Sequence, residues 1–203
     1  VSEGAPPSVD DRVLDAVGAV LGGRGWPDVT MAAVARAAGV SRQTLYKRFG
    51  SRTALAQAYV LREAARLVAV VETAIAANAD DPHRALAAAF DAFLAAAAAH
   101  PLVRAITTGA GADELLELVT TRGLPVMTAA AERLSALMRT TWPQASAADA
   151  GLLSEVLARL AISTATLPAA HGGLTGRSLA QVLGPFADQA LGATAPGTGA
   201  ARG

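Results

Sequence analysis

Apolar residues recur along this chain at spacings of three and four, the period of an amphipathic helix, and alternating runs are scarce. Val13, Val17, Val20 and Leu21 share one face of a first helix over about 10–21, with Ser8 or Asp10 as its cap. Gly22, Gly23 and Gly25 end it, and Pro27 marks the turn that follows. A short helix over 31–38 points Met31, Val34 and Ala38 inward, and Gly39 supplies the stop. Ser41 then caps a helix over 42–49, and Ser51 opens a long one towards Asn78. Asp80, Asp81 and Pro82 break it. Further helices are expected over 84–100 with Leu86, Phe90, Phe93 and Leu94 on the apolar side, over 102–108, and over 113–121. Gly123 and Pro125 precede another over 126–141, and two more cover 146–167 and 175–191. Residues 1–8 and a small, polar tail over 193–203 are expected to be disordered. The pattern predicts an all-α protein.

Composition agrees, since alanine, the best helix former, is the commonest residue and aromatic residues make up only 4%. A chain of 203 residues can bury a core without staples, and with no cysteine it has no disulfide framework, thiolate nucleophile or Cys-based metal site. Its three histidines, His83, His100 and His171, are far apart in sequence and read as structural or exposed, His100 as a helix-end residue bonded to free carbonyls, so no metal and no cofactor is expected. Asp80 and Asp81 read as a helix boundary and not as a catalytic dyad. The motifs HExxH, P-loop, Gly-x-Ser-x-Gly and Glu-x-x-His are all missing, which argues against an enzyme. No apolar stretch approaches the roughly 20 residues of a membrane span, and a cytoplasmic location is expected.

Charge changes the picture more. The 17 basic and 17 acidic residues cancel overall, but residues 1–62 hold eight of the basic and five of the acidic ones. Arg36, Arg42, Lys47, Arg48 and Arg52 follow one another without an intervening carboxylate, and Lys47 is the sole lysine. A basic stretch in a neutral chain suggests a surface that meets a polyanion. It coincides with the two short helices joined at Gly39, the sequence form of a helix-turn-helix, whose second helix enters the DNA major groove.

The run from Val29 to Leu55 resembles the DNA-binding module of TetR-type transcriptional regulators. The likeness rests on Thr30, on the Ala37-Ala38-Gly39-Val40-Ser41 turn, on Leu45, Tyr46 and Phe49, and on Ser51 and Leu55. It implies an N-terminal three-helix DNA-binding domain over 1–50 and a helical ligand-binding and dimerisation domain over 51–192, about nine helices in all. Thr30, Ser41, Arg42, Gln43, Thr44, Tyr46, Lys47, Arg48, Ser51 and Arg52 are its DNA-binding candidates. Arg42, Gln43 and Thr44 open the reading helix and suit base edges. Tyr46, Lys47 and Arg48 suit phosphates, as do the first-turn amides of the next helix. For Tyr46 a half-buried core position is the alternative. The family usually carries Lys where Arg52 stands and an acidic residue at Thr53, and Arg52 keeps the charge for a phosphate. Gly18, Gly22 and Gly23 weaken the first helix.

For the second domain the resemblance implies an effector site between helices. Phe90, Phe93 and Leu94 are its apolar candidates, with the two phenylalanines core residues first. Arg104, Thr107, Thr108, Thr120, Ser163 and Thr164 could orient a ligand, although Thr107 and Thr108 could equally bond their own helix. Leu152, Val156, Arg159, Leu160, Leu179, Val182, Leu183 and Phe186 are candidates for a four-helix interface between two copies. A homodimer follows from the reading mode, because two heads must meet half-sites about 34–36 Å apart or a multiple of it. The stretch 123–137 is faintly similar to TetR-type regulators of lipid metabolism, and the alanine-rich interior suggests a small apolar effector, fatty-acyl-like in shape. The expectation is a ligand-responsive dimeric repressor on an inverted repeat of double-stranded DNA. The alternative is a small-molecule carrier or helical interaction protein that no longer reads DNA.

Overall fold

The computed structural model describes residues 8–109, 111–167 and 173–191. Among them the chain forms ten α-helices and no strand: α1 (Val9–Arg24), α2 (Met31–Ala37), α3 (Arg42–Phe49), α4 (Arg52–Ala76), α5 (Pro82–Ala99), α6 (Pro101–Thr108), α7 (Asp113–Val119), α8 (Leu124–Thr141), α9 (Ala147–Thr166) and α10 (Gly176–Leu191). These correspond to the ten segments expected from the apolar pattern, one more than the nine or so that the resemblance implies, and a single 3₁₀ turn, Trp26–Asp28, precedes α2. His171 and the tail over 193–203 lie outside the described residues. Candidate breaks fall at Asp80–Asp81, Gly109–Gly111, Gly123 and Trp142-Pro143, within a residue or two of the observed helix ends. The first helix departs further, continuing through Gly22 and Gly23 to Arg24 before Gly25 stops it at φ +88°.

By packing, the described chain divides into two compact units. One comprises the residues up to Ala64 and Ala98–Val126. Within it α1 starts with a capping box, Ser8 accepting from the Asp11 amide while the Asp11 carboxylate accepts from the Ser8 amide. Gly18 leaves room for Tyr59, since a Cβ there would stand 3.3 Å from the Tyr59 hydroxyl. The core of this unit gathers Val13, Val17, Trp26, Val34, Leu45 and Leu55 with Leu115 and Leu118 of α7. A buried carboxylate, Glu63, accepts from Arg62 (2.8 Å) and from His100 Nε2 (3.1 Å). His100 therefore caps the start of α6, its Nδ1 accepting from the Leu102 amide, in place of the expected bond to carbonyls at the end of α5.

The second unit comprises Ala65–Ala97 and the described residues from Met127 onward. Its core holds Ile75, Leu86, Phe90, Met138, Trp142 and Leu153. Polar side chains tie its helices. Arg133 sets a two-pronged fork on Glu72, the Trp142 indole donates to the Ala79 carbonyl at 3.0 Å, and Asp91 accepts from the Gly176 amide at the head of α10. At the α4–α5 turn, a hydrogen bond from Arg84 holds the exposed Asp80 carboxyl below the usual carboxylate range.

Candidate nucleic-acid interface

The helix-turn-helix is built by local chemistry. Thr30 caps α2 by accepting from the Ala33 amide at 3.1 Å. At the other end Gly39 adopts φ +65°, so its amide reaches the Arg36 carbonyl and the Val40 amide the Ala35 carbonyl, the paired bonds of a Schellman stop. Ser41 then caps α3 through the Thr44 amide (3.0 Å), and its hydroxyl also meets the Thr44 hydroxyl at 2.8 Å. Leu45 is wholly buried and Phe49 half-buried against the same core, which fixes the rotation of α3 about its axis.

That rotation turns Arg42, Gln43, Tyr46 and Lys47 outward, and these four have no hydrogen-bond or ion-pair partner among the described residues. Tyr46 is 52% exposed, not a core residue. Arg48 is exposed too, but it pairs with Asp10 of α1 at 2.9 Å. Thr44 is half-buried and engaged by Ser41. The exposed Ser51 caps α4 through the Ala54 amide at 3.1 Å, and the remaining amides of the first turn have no carbonyl to bond within the helix. The result is a small outward face with two uncommitted cations, an amide and a phenol, beside an exposed helix N-terminus. Such a face can bond base edges and neutralise phosphates.

Arg52, expected at a phosphate, is committed inward. Its Nε donates to the Val29 carbonyl (2.7 Å), Nη2 to the Trp26 carbonyl (3.1 Å) and Nη1 to the Glu114 carboxylate (2.5 Å), while its guanidinium carbon lies 4.3 Å from the Trp26 ring centre. Sequence reasoning missed Glu114 and Trp26, and no periodicity marks a carboxylate on α7 as the partner of a cation on α4. The counter-ion at Arg48 was missed for the same reason.

The other candidates divide. Phe90 and Phe93 are buried side by side on α5, ring centres 6.3 Å apart, and Leu94 is half-buried. Arg104, Thr107, Thr108, Thr120 and Ser163 are instead exposed, where an interior lining was expected. The hydroxyls of Thr107, Thr108, Thr120 and the half-buried Thr164 each bond a carbonyl one turn back in their own helix, which satisfies them without a ligand. On α9 and α10, Leu152 and Val182 are exposed at 52% and 72%, Arg159 is exposed and paired with Glu155, and Val156, Leu160, Leu183 and Phe186 are half-buried. Leu179 departs from the expected interface: at 2% exposure it belongs to the core of its own unit, packed with Leu86, Phe90 and Leu153 in one apolar cluster. Among the described residues no cluster of His, Asp and Glu could hold a metal ion, and no single helix is long and apolar enough to cross a membrane.

Two families match the chain. Residues 13–59 match the family described as bacterial regulatory proteins, tetR family, and residues 81–185 the bacterial tetracyclin repressor C-terminal domain. The HTH-type transcriptional regulator AlkX of Mycobacterium tuberculosis is 41% identical over 179 residues, 88% of this chain and 85% of that one. An uncharacterised HTH-type regulator of that species is 49% identical over 57 residues, 28% of each chain. Among solved structures, the repressor AlkX from Dietzia sp. strain DQ12-45-1b, implicated in biodegradation of n-alkanes, superposes with a TM-score of 0.83 at 33% identity, covering 93% of this chain and 100% of that one. These relatives are transcriptional regulators, not enzymes.

Proposed function

The chain belongs to the TetR family of bacterial transcriptional regulators, and on that premise we propose that it is a dimeric repressor released from an inverted-repeat operator by an elongated apolar effector. Residues 1–50 serve as the DNA-reading part and 51–192 as the ligand and dimerisation part. The observation that carries the reading is the outward face of α3, where Arg42, Gln43, Tyr46 and Lys47 are presented without a partner among the described residues. Arg42 and Gln43 lie in the first turn and take base edges, guanine suiting the fork of Arg42 and adenine the amide of Gln43. Tyr46 and Lys47 take phosphates.

An apolar effector, an n-alkane or fatty-acyl chain, suits the interior of the second unit beside Phe90, Phe93 and Leu94. The n-alkane connection of the Dietzia repressor favours this class. Release is a shift between two states, and the effector moves it only as far as it binds the released state better. A carrier that ignores DNA is disfavoured, because caps, stop and buried face together hold α3 with its polar residues outward.

The test is selection from a random duplex pool by the purified full chain at moderate salt, followed by titration of the enriched duplex complex with long-chain n-alkanes and fatty acids. An enriched inverted repeat that is released by one of these ligands is expected. A folded dimer that enriches nothing, even after extraction of bound lipid, overturns the repressor reading. Enrichment without release overturns only the effector class.

A further inference from the structure

Glu114, in the first turn of α7, is a point of convergence. Its Oε2 accepts from Arg52 Nη1 (2.5 Å) and from the Trp26 indole (3.2 Å), and its Oε1 accepts from the Thr53 hydroxyl (2.9 Å). Arg52 continues the connection, since its other nitrogens hold the Val29 and Trp26 carbonyls. Those carbonyls belong to the turn that leads through Thr30 into α2. Arg52 itself follows the two-residue joint Gly50-Ser51 that leaves α3. One guanidinium therefore bridges the entry to α2 and the exit from α3, and one carboxylate ties that bridge to α7. The approach is close in backbone terms as well. Gly111, just before α7, has φ +68°, and a Cβ there would stand 2.8 Å from Pro27.

We propose that Glu114 is a positioning residue for DNA reading: it latches Arg52 across both ends of the helix-turn-helix and so sets the orientation in which α3 meets DNA, with Arg52 acting as the latch and not as a phosphate ligand. The proposal rests on the reading that α3 binds DNA. The geometry requires a fork, because three separate acceptors each take a different nitrogen of the Arg52 guanidinium. A lysine would keep the charge and lose that arrangement. Among the described residues Glu114 is the carboxylate that pairs with Arg52, so a phosphate would have to displace it to gain the cation.

The full chain is tested on its own selected duplex, with affinity measured across a series of salt concentrations. Glu114→Gln, Arg52→Gln and Arg52→Lys are each expected to weaken binding about tenfold, the scale of a lost charge-assisted hydrogen bond. The Glu114→Gln/Arg52→Gln double variant is expected to be no weaker than either single, with the slope of log affinity against log salt unchanged. If Arg52 is a phosphate ligand, Arg52→Gln lowers that slope by about 0.9. In that case Arg52→Lys behaves as wild type and Glu114→Gln binds as well or better, which overturns the proposal. Should Glu114→Gln fold poorly, Thr53→Val removes one of the three bonds at nearly constant shape and is expected to give a smaller loss. A DNA-independent readout separates this proposal from the reading beneath it. The Trp26 indole N–H resonance is expected to move in Glu114→Gln while that of Trp142 stays. An unmoved Trp26 resonance overturns the latch even if DNA binds. A protein that selects no duplex at all overturns the role in reading, whatever the resonance does.

Discussion

Gly18 and Gly23 are five residues apart on α1 and do different things. Gly18 faces Tyr59, whose hydroxyl would lie 3.3 Å from any Cβ, whereas nothing comes within 4 Å of the corresponding point at Gly23. Gly23→Ala is therefore expected to raise stability by about 0.5–1 kcal/mol through lower backbone freedom in the unfolded chain. Gly18→Ala should give none of that gain, because the tyrosine must yield. Urea unfolding of the two variants checks both. The same scale separates the side chains of α3. Lys47→Ala should weaken binding to every duplex and reduce the salt slope by about 0.9, one phosphate's worth. Gln43→Ala should cost about 1–3 kcal/mol against the preferred base at one position and little against the others. Binding to a panel of single-base operator variants distinguishes the two patterns.

Helix ends carry their own information, and this decides how much of the fold the sequence discloses. Ser8, Thr30, Ser41, Ser51 and Ser146 each accept from an amide three residues on, and every one of those bonds is written within four consecutive positions. Gly39 is equally local, its positive φ serving a turn of three residues. Ser146→Ala should accordingly cost about 1 kcal/mol of stability, and Gly39→Ala about 1–2 kcal/mol, since a Cβ in the left-handed region crowds its carbonyl. Thermal unfolding monitored by circular dichroism tests both. What pairs elements distant in sequence is not legible in this way. Arg52 and Glu114 are 62 positions apart, and Arg48 and Asp10 are 38 apart. A guanidinium in a basic run looks the same whether it meets phosphate or carboxylate. The threonines proposed for a ligand misled for a related reason: a hydroxyl on a helix always has a carbonyl one turn behind it, so its presence says little about what lies in front.

At the scale of the whole molecule, the exposed apolar residues of α9 and α10 bear on association. Leu152 and Val182 stand at 52% and 72% exposure, while Leu179, also apolar and also on α10, is buried in its own protomer. The two classes should respond oppositely to substitution. Leu179→Ala removes packing inside the protomer and is expected to cost about 2–5 kcal/mol of folding stability, however the chains associate. Val182→Glu touches no core within the protomer, so its direct effect on the protomer fold should stay within about 0.5 kcal/mol. If two copies meet through α9 and α10, that same change places a carboxylate in an apolar contact and sedimentation should show monomers. DNA affinity should then fall far more than any single α3 substitution lowers it. The second head of a dimer binds at the effective concentration set by its attachment to the first, and losing it forfeits a factor of about 10²–10⁴ without touching a base contact. A Val182→Glu protein that sediments as wild type and holds its duplex equally well would place the interface on another face. A monomer with undiminished duplex affinity would instead mean that one head suffices, and the requirement for an inverted repeat would fall with it.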